Sequence, residues 1–364
     1  MSLCDHLKNK NILLTGHTGF KGSWLAAWLH LLGAKVYGAS RDIPTRPSHF
    51  QLAGLGQYLK DWRIDLRETK ELYRLVADIK PDFVFHLAAQ ALVRRSFANP
   101  LETYQTNVLG TLNLLEALRP LEKPCTAVLI TSDKCYDNVE WAWGYRETDA
   151  LGGPDPYSAS KGAAELVIRS HVKSFFPKDG LVRVAVGRAG NVIGGGDWAA
   201  DRIVPDSVRS WASGKSVQLR NPNSTRPWQH VLEPLSGYLS LADALSKRPE
   251  LHGEPFNFGP PAQQAHSVLE LVKQMSDHWD QVRWDDVSDK DGAPYESGLL
   301  KLNCDKALHH LKWYAVLNFE ETVKMTTEWY QSYYKDPQNI RERTVAQIQE
   351  YTRLAAERGV AWAQ

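Results

Sequence analysis

The chain has 364 residues, of which 43% are hydrophobic, so it is long enough for one large domain or two fused domains with a sizeable core. Lys and Arg number 43 against 42 Asp and Glu, and a formal charge of +1 gives no electrostatic argument for a nucleic-acid or membrane partner. There is no secretory signal pattern and no apolar run of membrane-spanning length, so we expect a cytoplasmic protein whose four cysteines are reduced.

Short apolar runs alternate with helical patterns through the first half of the chain. Because strands that alternate with helices at this spacing form βαβ units, the pattern predicts an α/β fold with a Rossmann-type, doubly wound parallel sheet. The continuous Val, Ile, Leu and Phe character indicates strands that are covered on both faces. The predicted strands are 11–16, 34–40, 82–90, 127–132 and 181–190, and the predicted helices are 20–32, 67–79, 100–118 and 157–175.

The first predicted strand runs directly into the sequence TGHTGFKG, which places Gly16, Gly19 and Gly22 between a strand and a helix. Glycines let the backbone turn tightly and approach a pyrophosphate, and the helix that follows offers free N–H groups and its positive dipole end. This context predicts dinucleotide binding, with a purely structural turn as the alternative. His17 and Lys21 bring a potential and a certain cation to the same loop, and Lys21 either binds phosphate or extends to solvent.

The second predicted strand ends at Ser40 and Arg41. An acid at this position would bind the adenosine ribose of NAD, whereas an arginine accommodates the 2′-phosphate of NADP. The local rule therefore favours NADP, unless Arg41 stacks on the adenine or faces solvent. Asp65 is a separate candidate for binding the adenosine. The alternative is that it is a structural residue in the N-cap region of a helix.

The strand predicted at 127–132 ends in TSDKCYD, where a hydroxyl, an acid and a base stand in a row. Asp133 and Lys134 are sequence neighbours and would ordinarily form a surface ion pair. The carboxyl ends of parallel strands, however, meet at the crevice that binds the dinucleotide. We therefore expect Ser132, Asp133 and Lys134 to lie beside the cofactor.

The sequence PYSASKGAAE places Tyr157 and Lys161 four residues apart, on one face of a predicted helix. A buried Lys cation near the phenol favours the phenolate and lowers the pKa of Tyr157, so that the tyrosine can take a proton from an alcohol. Loss of that proton, while a nicotinamide accepts the hydride from the same carbon, is an oxidation. The spacing predicts this chemistry.

The pattern loosens after residue 190, where glycine- and proline-rich segments at 194–196, 221–227 and 259–261 indicate loops. We predict a smaller, loop-rich portion that covers the sheet. The charged sequence from Pro337 onward is predicted to form one helix, which either is solvated or makes an oligomer contact.

Several motifs together resemble the extended short-chain dehydrogenase/reductase family over residues 8–330. They are TGHTGFKG, HLAAQ at 86–90, Asn107, the set Ser132–Tyr157–Lys161, RAGNVIGGGD at 188–197 and RPWQHV at 226–231. The resemblance implies that residues 1–190 form an NAD-binding domain, with segments that return near 228–260, and that residues 191–364 mainly bind a nucleotide-sugar.

The resemblance also implies the residues of the site. The expected cofactor-binding residues are Gly16, His17, Gly19, Phe20, Lys21, Gly22, Ser40, Arg41, Asp65, Leu66, Ala88, Ala89, Asn107, Tyr157 and Lys161. The expected substrate-binding residues are Gln90, Arg188, Asn191, Arg226 and His230. Asn191 and Arg226 would contact the substrate diphosphate. The alternative for Asn191 is a turn residue before the glycines, and the alternative for Arg226 is a surface arginine. For Asn107, the alternative to a role in the site is a structural role in its helix.

The pair Asp133–Lys134 decides between the reactions of this family. Epimerases need only the hydride machinery of Ser132, Tyr157 and Lys161, whereas 4,6-dehydratases also need an acid and a base. For that acid role Asp133 must carry its proton near neutral pH. Lys134 must be neutral to act as the base; as a cation it would pair with Asp133 and stabilise an enolate oxygen or a cofactor phosphate.

Within the family, the motif set is most similar to the branch that dehydrates CDP-glucose, and the expected product is the 4-dehydro-6-deoxy sugar of deoxysugar and lipopolysaccharide (O-antigen) biosynthesis. The family resemblance implies NAD, against the NADP suggested by Arg41, and a homodimer or tetramer; no metal site is predicted. The alternatives are a nucleotide-sugar 4-epimerase and a non-catalytic dinucleotide-sensing module.

Overall fold

A computed structural model of the chain describes residues 6–261, 263–288 and 299–364. The strands, in chain order, are β1 (Asn11–Thr15), β2 (Lys35–Ser40), β3 (Lys60–Arg63), β4 (Phe83–His86), β5 (Cys125–Ile130), β6 (Val182–Arg188), β7 (Val192–Ile193), β8 (Val217–Leu219), β9 (Thr225–Arg226), β10 (Gln229–His230), β11 (Pro255–Asn257), β12 (His266–Ser267) and β13 (Trp284–Asp286).

The α-helices lie between these strands and at the carboxyl end of the chain. They are α1 (Phe20–Leu31), α2 (His49–Leu52), α3 (Thr69–Ile79), α4 (Val93–Ala98), α5 (Pro100–Tyr104), α6 (Gly110–Leu118), α7 (Pro156–Phe175), α8 (Ile203–Ala212), α9 (Leu232–Lys247), α10 (Val268–Ser276), α11 (Asp305–Leu311), α12 (Phe319–Lys335) and α13 (Ile340–Glu357). In the part of the chain that the structure describes, none of these helices has the length and apolarity needed to cross a bilayer.

Seven parallel strands form the central sheet, in the order β11-β6-β5-β4-β1-β2-β3. Consecutive residues of one strand enter different cores: Leu13 packs on one side of the sheet and Leu14 on the other, and both are fully buried. Helices therefore cover both faces, and the predicted Rossmann-type fold is confirmed. The strand order reverses between β1 and β4, which is where such sheets bind ligands, at the carboxyl ends of the strands.

Two elements of the sheet differ from the sequence-based prediction. The edge strand β3 was not predicted, because its sequence KDWR is mostly exposed and has no apolar run. The helix predicted over 100–118 is divided into α5 and α6 by a π-helical segment, Gln105–Leu109. The π-turn brings Asn107 into the protein interior, where it contacts the cofactor-side loop after β4.

The second half of the chain contributes to two regions. Helix α9 packs against β5 and β6, and β11 completes the sheet beside β6. The pairs β7–β10, β9–β12 and β8–β13 lie with α8 and α10 over the carboxyl ends of the strands. The charged C-terminal segment forms α13, which packs on α1 and buries Ile348 and Tyr351, so one face of this helix belongs to the core.

Candidate active site

A cleft of about 1230 Å³ opens at the carboxyl ends of the sheet strands. One wall consists of the loops after β1, β2, β4 and β5, and the other wall consists of residues 196–206 and 217–221. Most of the predicted site residues line this cleft: Gly16, Gly19, Phe20, Lys21, Gly22, Ser40, Arg41, Asp65, Leu66, Ala88, Ala89, Gln90, Ser132, Asp133, Lys134, Tyr157, Lys161, Asn191 and Arg226.

The glycine loop is packed too closely to carry side chains. Gly16 has a φ of +77°, and a Cβ on it would lie 2.6 Å from the backbone nitrogen of Ala88. A Cβ on Gly22 would lie 2.1 Å from the carbonyl oxygen of Gly16. Gly19 is the N-cap of α1 and supplies no side-chain cap. The first turn of α1 therefore faces the cleft with N–H groups that suit a pyrophosphate.

The two potential cations of this loop have different surroundings. His17 is buried outside the cleft, where its Nε2 is 2.9 Å from Asp61 Oδ1 and its Nδ1 is 2.9 Å from Ser40 Oγ. It ties the loop to β2 and β3, which differs from the expected cofactor contact, and burial lowers its pKa. Lys21 does line the cleft; burial, followed by the charge of Lys161, lowers its pKa to about 8.

The adenosine end of the predicted cofactor site carries paired charges. Arg41 donates from Nη1 to Glu102 Oε1 and from Nε to Asp42 Oδ2, both at 3.0 Å. Asp65 accepts three hydrogen bonds from the side chain of Arg67, which lower the pKa of the carboxyl group. Glu102 could not be identified from the sequence as a partner of Arg41, because it lies 61 residues further along the chain, on α5.

Ser132 and Asp133 lie directly after β5, as the pattern predicted. Ser132 Oγ donates to Asp133 Oδ1 at 2.7 Å and accepts from the backbone N–H of Lys134 at 3.3 Å. Asn191 Nδ2 is 3.5 Å from Asp133 Oδ2, and Gly190 leaves the space that this carboxyl group fills. The acid is therefore buried in the cleft wall and fixed by groups from β5 and from the segment after β6.

Lys134 is half-buried and lines the cleft. Among the ion pairs of residues 6–261, 263–288 and 299–364, there is none between Lys134 and Asp133. The carboxyl group instead interacts with Ser132, Asn191 and, electrostatically, with Lys21. This arrangement does not support a surface ion pair between Asp133 and Lys134, because neither carboxylate oxygen of Asp133 holds the Lys134 side chain.

Tyr157 and Lys161 are buried on α7, which begins at the N-cap Asp155. Burial raises the pKa of Tyr157 to about 12, and a hydrogen bond with Ser132 and the charge of Arg202 oppose this rise only in part. Burial also lowers the pKa of Lys161 to about 8. The expected lowering of the tyrosine pKa by Lys161 is therefore not found, because desolvation of the phenolate outweighs the nearby positive charges.

Arg202 is the residue near the reaction centre that the sequence analysis missed. It lies in the loop before α8, lines the cleft and forms a 2.7 Å ion pair with the buried Asp197. Its charge acts on both Tyr157 and Lys21. In the sequence, the sole indication is that Arg202 is a basic residue five positions after the aspartate of the GGGDW segment. This indication is weak without knowledge of the fold.

The loop after β4 is held by a network of amide groups. Asn107 accepts from the backbone N–H of Gln90 at 2.8 Å and donates to the Gln90 carbonyl and to Ser160 Oγ. The Gln90 side chain donates to Thr103 and to the Leu92 carbonyl. Asn107 therefore connects the cofactor-side loop to the tyrosine helix, which agrees with the structural alternative for this residue.

Two predicted substrate ligands lie behind the cleft wall. Arg188 is buried in an ion pair with Glu165, with distances of 2.8 and 2.9 Å, and it also donates to the hydroxyl group of Tyr136. His230 is buried in edge-to-face contact with Trp24, and burial lowers its pKa to about 3. Both residues differ from the expectation, because β6 and β10 direct their side chains into the core instead of the cleft.

Arg226 and Asn191 remain as the predicted diphosphate ligands that line the cleft. Asn191 adopts a left-handed backbone conformation with φ of 51°, and its carbonyl accepts from the N–H of Gln229. Arg226 lies on β9 and donates from Nη1 to the carbonyl of Thr225 at 2.9 Å.

Comparisons with known proteins agree with this geometry. A family model described as GDP-mannose 4,6 dehydratase matches residues 13–326. The chain is 46% identical over 331 residues to a CDP-glucose 4,6-dehydratase of Salmonella typhimurium, an alignment that covers 90% of this chain and 92% of the relative.

Solved structures share the fold at lower identity. A UDP-glucose 4-epimerase from Stenotrophomonas maltophila with bound NAD has a TM-score of 0.78 and 21% identity, covering 90% of this chain and 99% of that one. A dTDP-glucose 4,6-dehydratase from Bacillus anthracis in complex with NAD has a TM-score of 0.71 and 20% identity, covering 88% and 96%. The chain thus belongs to the GDP-mannose 4,6-dehydratase family, within the extended short-chain dehydrogenases/reductases.

Proposed function

We propose that this protein is an NAD-dependent 4,6-dehydratase that acts on CDP-glucose. The observation that carries the proposal is the position of Asp133: a buried carboxyl group, held by Ser132, stands in the cleft beside the Tyr157 and Lys161 pair. An epimerase has no use for an additional buried acid at this point. The relative that is 46% identical is a CDP-glucose 4,6-dehydratase, which supports the choice of substrate.

The residues of the glycine loop fit NAD. A side chain on Gly16 or Gly22 would clash with backbone, so glycine at both positions allows the tight turn that lets the loop backbone approach a pyrophosphate. The uncapped first turn of α1 would donate N–H groups to it, and the loop after β4 with Ala88 and Ala89, which packs against Gly16, would border the same site. Bound NAD would accept the hydride from C4 of the sugar and return it to C6.

Tyr157 would remove the proton of the C4 hydroxyl group as the C4 hydride leaves, which converts C4 to a ketone. With a pKa of about 12, Tyr157 carries its own proton at neutral pH in the free site, so it would have to release that proton to solvent before it could accept the one from the C4 hydroxyl group. Ser132, through its hydrogen bond, and Arg202, through its charge, are the groups that favour the phenolate. Lys161 lies one turn further along α7 and lines the same cleft.

Oxidation at C4 makes the C5 hydrogen acidic, since it is then alpha to a ketone. Lys134 in its neutral form would take this proton, while Asp133 gives its proton to the C6 hydroxyl group, which leaves as water. Lys134 would then return its proton to C5 as the hydride is added to C6, which would complete the 4-dehydro-6-deoxy sugar. The cycle is redox-neutral, because the hydride taken from C4 is delivered to C6.

Arg226 and Asn191 would bind the diphosphate of the substrate. Both residues line the cleft that also holds Asp133 and Tyr157, which supports this role. The sequence-based roles of Arg188 and His230 do not form part of the proposal, since both side chains are buried behind the wall.

One experiment separates this function from its rivals. The purified protein is incubated with CDP-, dTDP-, UDP- and GDP-glucose, with and without added NAD, and products are analysed by mass spectrometry. We expect loss of water from CDP-glucose. Conversion to an isomer of unchanged mass would identify an epimerase, and no conversion of any sugar, with NAD still bound, would favour the dinucleotide-sensing module.

We further propose a homodimer in the cytoplasm that supplies deoxysugar biosynthesis for lipopolysaccharide. Phe97, Leu101 and Leu166 are exposed by 59%, 70% and 47% on the adjacent helices α4, α5 and α7, which supports pairing of two copies through this face. Cys125 and Cys135 are buried free thiols, which suits a reducing compartment. Sedimentation of the wild-type protein and of Leu101→Glu tests the dimer.

A further inference from the structure

Four charged side chains form a continuous chain at the end of β2, in the order Asp42, Arg41, Glu102, Arg95. Asp42 Oδ2 and Glu102 Oε1 each accept from Arg41 at 3.0 Å, and Glu102 accepts from Arg95 Nη2 with both oxygens at 3.0 Å. The chain of charges joins β2 to α4 and α5, three elements that are separate in sequence.

These charges belong to the cleft wall where β2 ends. Arg41, Asp42, Arg95 and Glu102 all line the cleft, next to Ser40. The pairing is ionic: the hydrogen bond with Arg41 is the main cause that lowers the pKa of Glu102, and the same bond is the main cause that raises the pKa of Arg41. The guanidinium group is therefore charged, with two of its donors already engaged.

An arginine after the second strand of a dinucleotide-binding sheet accommodates the 2′-phosphate of NADP when its donors are free. Here the donors face two carboxylates, so a dianionic 2′-phosphate would meet negative charge where it needs positive charge. A ribose hydroxyl group carries no charge and meets no such repulsion. Arg67 is likewise held by Asp65, which lines the cleft; its Nη2 is 2.6 Å from Asp65 Oδ2.

We propose that Glu102 selects NAD over NADP, by holding the guanidinium group of Arg41 and by placing a carboxylate beside the 2′-position of the adenosine ribose. Arg41, which suggests NADP when only the sequence is considered, would thus form part of an NAD site because Glu102 of α5 holds its side chain. The inference rests on the proposed function, in that it places the adenosine of NAD at Ser40 and Arg41.

The test is a comparison of dissociation constants for NAD and NADP, measured by calorimetry on protein freed of bound nucleotide. Glu102→Gln keeps the shape of the side chain and removes its charge. We expect its NADP to NAD affinity ratio to rise roughly tenfold, a modest effect for one full charge a few ångströms away after screening. Adding Arg41→Ala to Glu102→Gln should cancel the gain, because Arg41 would then be missing as the phosphate ligand.

Two control variants isolate this contact. Arg95→Ala removes the other ion pair of Glu102 but keeps the carboxylate on Arg41, so the NADP to NAD affinity ratio should not rise. Glu116→Gln removes a carboxylate that pairs with Arg119 and His171 on another surface, and it should leave the ratio unchanged.

The outcomes separate this inference from the proposed cofactor placement. Asp65→Ala should weaken NAD binding if the adenosine lies on this wall. Weakened NAD binding in Asp65→Ala, together with an unchanged ratio in Glu102→Gln, would overturn the role of Glu102 alone. NAD affinity that is unaffected by both Asp65→Ala and Arg41→Ala would overturn the placement and the selectivity with it.

Discussion

Gly190 stands directly against the carboxyl group of Asp133: a Cβ on residue 190 would lie 1.9 Å from Oδ2 and 2.0 Å from Cγ. The backbone that follows β6 therefore fixes the position of an acid that follows β5. Since the carboxyl group is buried and bonded to Ser132, it has little freedom to move away from a new methyl group. The glycine is as much a part of the proposed acid site as the aspartate itself.

Gly190→Ala should displace Asp133 and slow dehydration of CDP-glucose about a hundredfold, the lower range for loss of a positioned acid. Affinity for NAD should be retained, because the three atoms nearest to a Cβ on residue 190 all belong to Asp133 and none to the glycine loop. Gly56→Ala is the matched control, since its Cβ would make only ordinary contact with Phe50 at 3.6 Å. Turnover of Gly190→Ala within twofold of wild type would contradict the role of Asp133.

Lys134→Met and Lys134→Arg together distinguish a base from a cation. Arginine keeps a positive charge and has no neutral form in proteins, so it cannot accept a proton. If Lys134 is the base, both variants should lose exchange of the C5 hydrogen with deuterated solvent, measured by mass spectrometry of the sugar. Exchange retained in Lys134→Arg and lost in Lys134→Met would instead assign the residue to stabilising the enolate. Exchange unchanged in both variants would exclude either role.

Arg188→Met should reduce stability and leave substrate affinity unchanged. Loss of one partner from the buried pair with Glu165 leaves an uncompensated charge, at a cost of about 3–5 kcal/mol. The free energy of unfolding and the KM for CDP-glucose, both measured below the transition temperature, check the two parts. The double variant Arg188→Met, Glu165→Leu should recover part of the loss. A raised KM with unchanged stability would contradict this prediction and would indicate that Arg188 contacts the substrate.

Glu233 gives the protein a defined pH dependence of stability. Its carboxyl group accepts from the backbone N–H groups of Val316 and Leu317 and from the hydroxyl group of Tyr351. Burial nevertheless raises its pKa from 4.5 to about 7. Between these values the folded state holds the proton more tightly than the unfolded chain does, so the contribution of Glu233 to stability falls as pH rises from 4.5 to 7.

Glu233→Gln removes this titration while keeping an oxygen acceptor. We expect the melting temperature of the wild type to fall more between pH 5 and pH 7 than that of Glu233→Gln. The reason is that the raised pKa makes the stability of the wild type fall as pH rises through this range, whereas glutamine does not titrate. Glu233→Leu should be destabilised at every pH, because it leaves two buried N–H groups unpaired, at about 1–3 kcal/mol each. Parallel pH profiles for wild type and Glu233→Gln would contradict the assignment.

The sequence predicted those features that depend on local pattern. The buried strands β1, β4 and β5 are continuous apolar runs, and the glycine loop and the Tyr157–Lys161 spacing are contiguous motifs, so each could be identified without tertiary information. Strand β3 could not, because an exposed edge needs no apolar residues.

Features that depend on packing between distant segments escaped prediction. The sequence neighbours of Arg202 do not indicate that its loop folds back beside Tyr157. Arg188 and His230 stand in motifs that suggest ligand contact, yet side-chain direction on β6 and β10 depends on which face of each strand meets the core. Arg41 was interpreted from its position alone, whereas its partner Glu102 comes from a helix two crossovers later.

Strand β11 lies far along the chain from β6, its neighbour in the sheet, and this has a consequence for folding during synthesis. As the chain leaves the ribosome, β1 to β6 are complete after residue 188, but the strand that borders β6 and the helix that covers β5 and β6 appear only with residues 232–257. Until then, the apolar edge and one face of the nascent sheet stay uncovered, and such surfaces aggregate. We therefore expect a fragment cut at residue 190 to keep this face and edge uncovered and to aggregate.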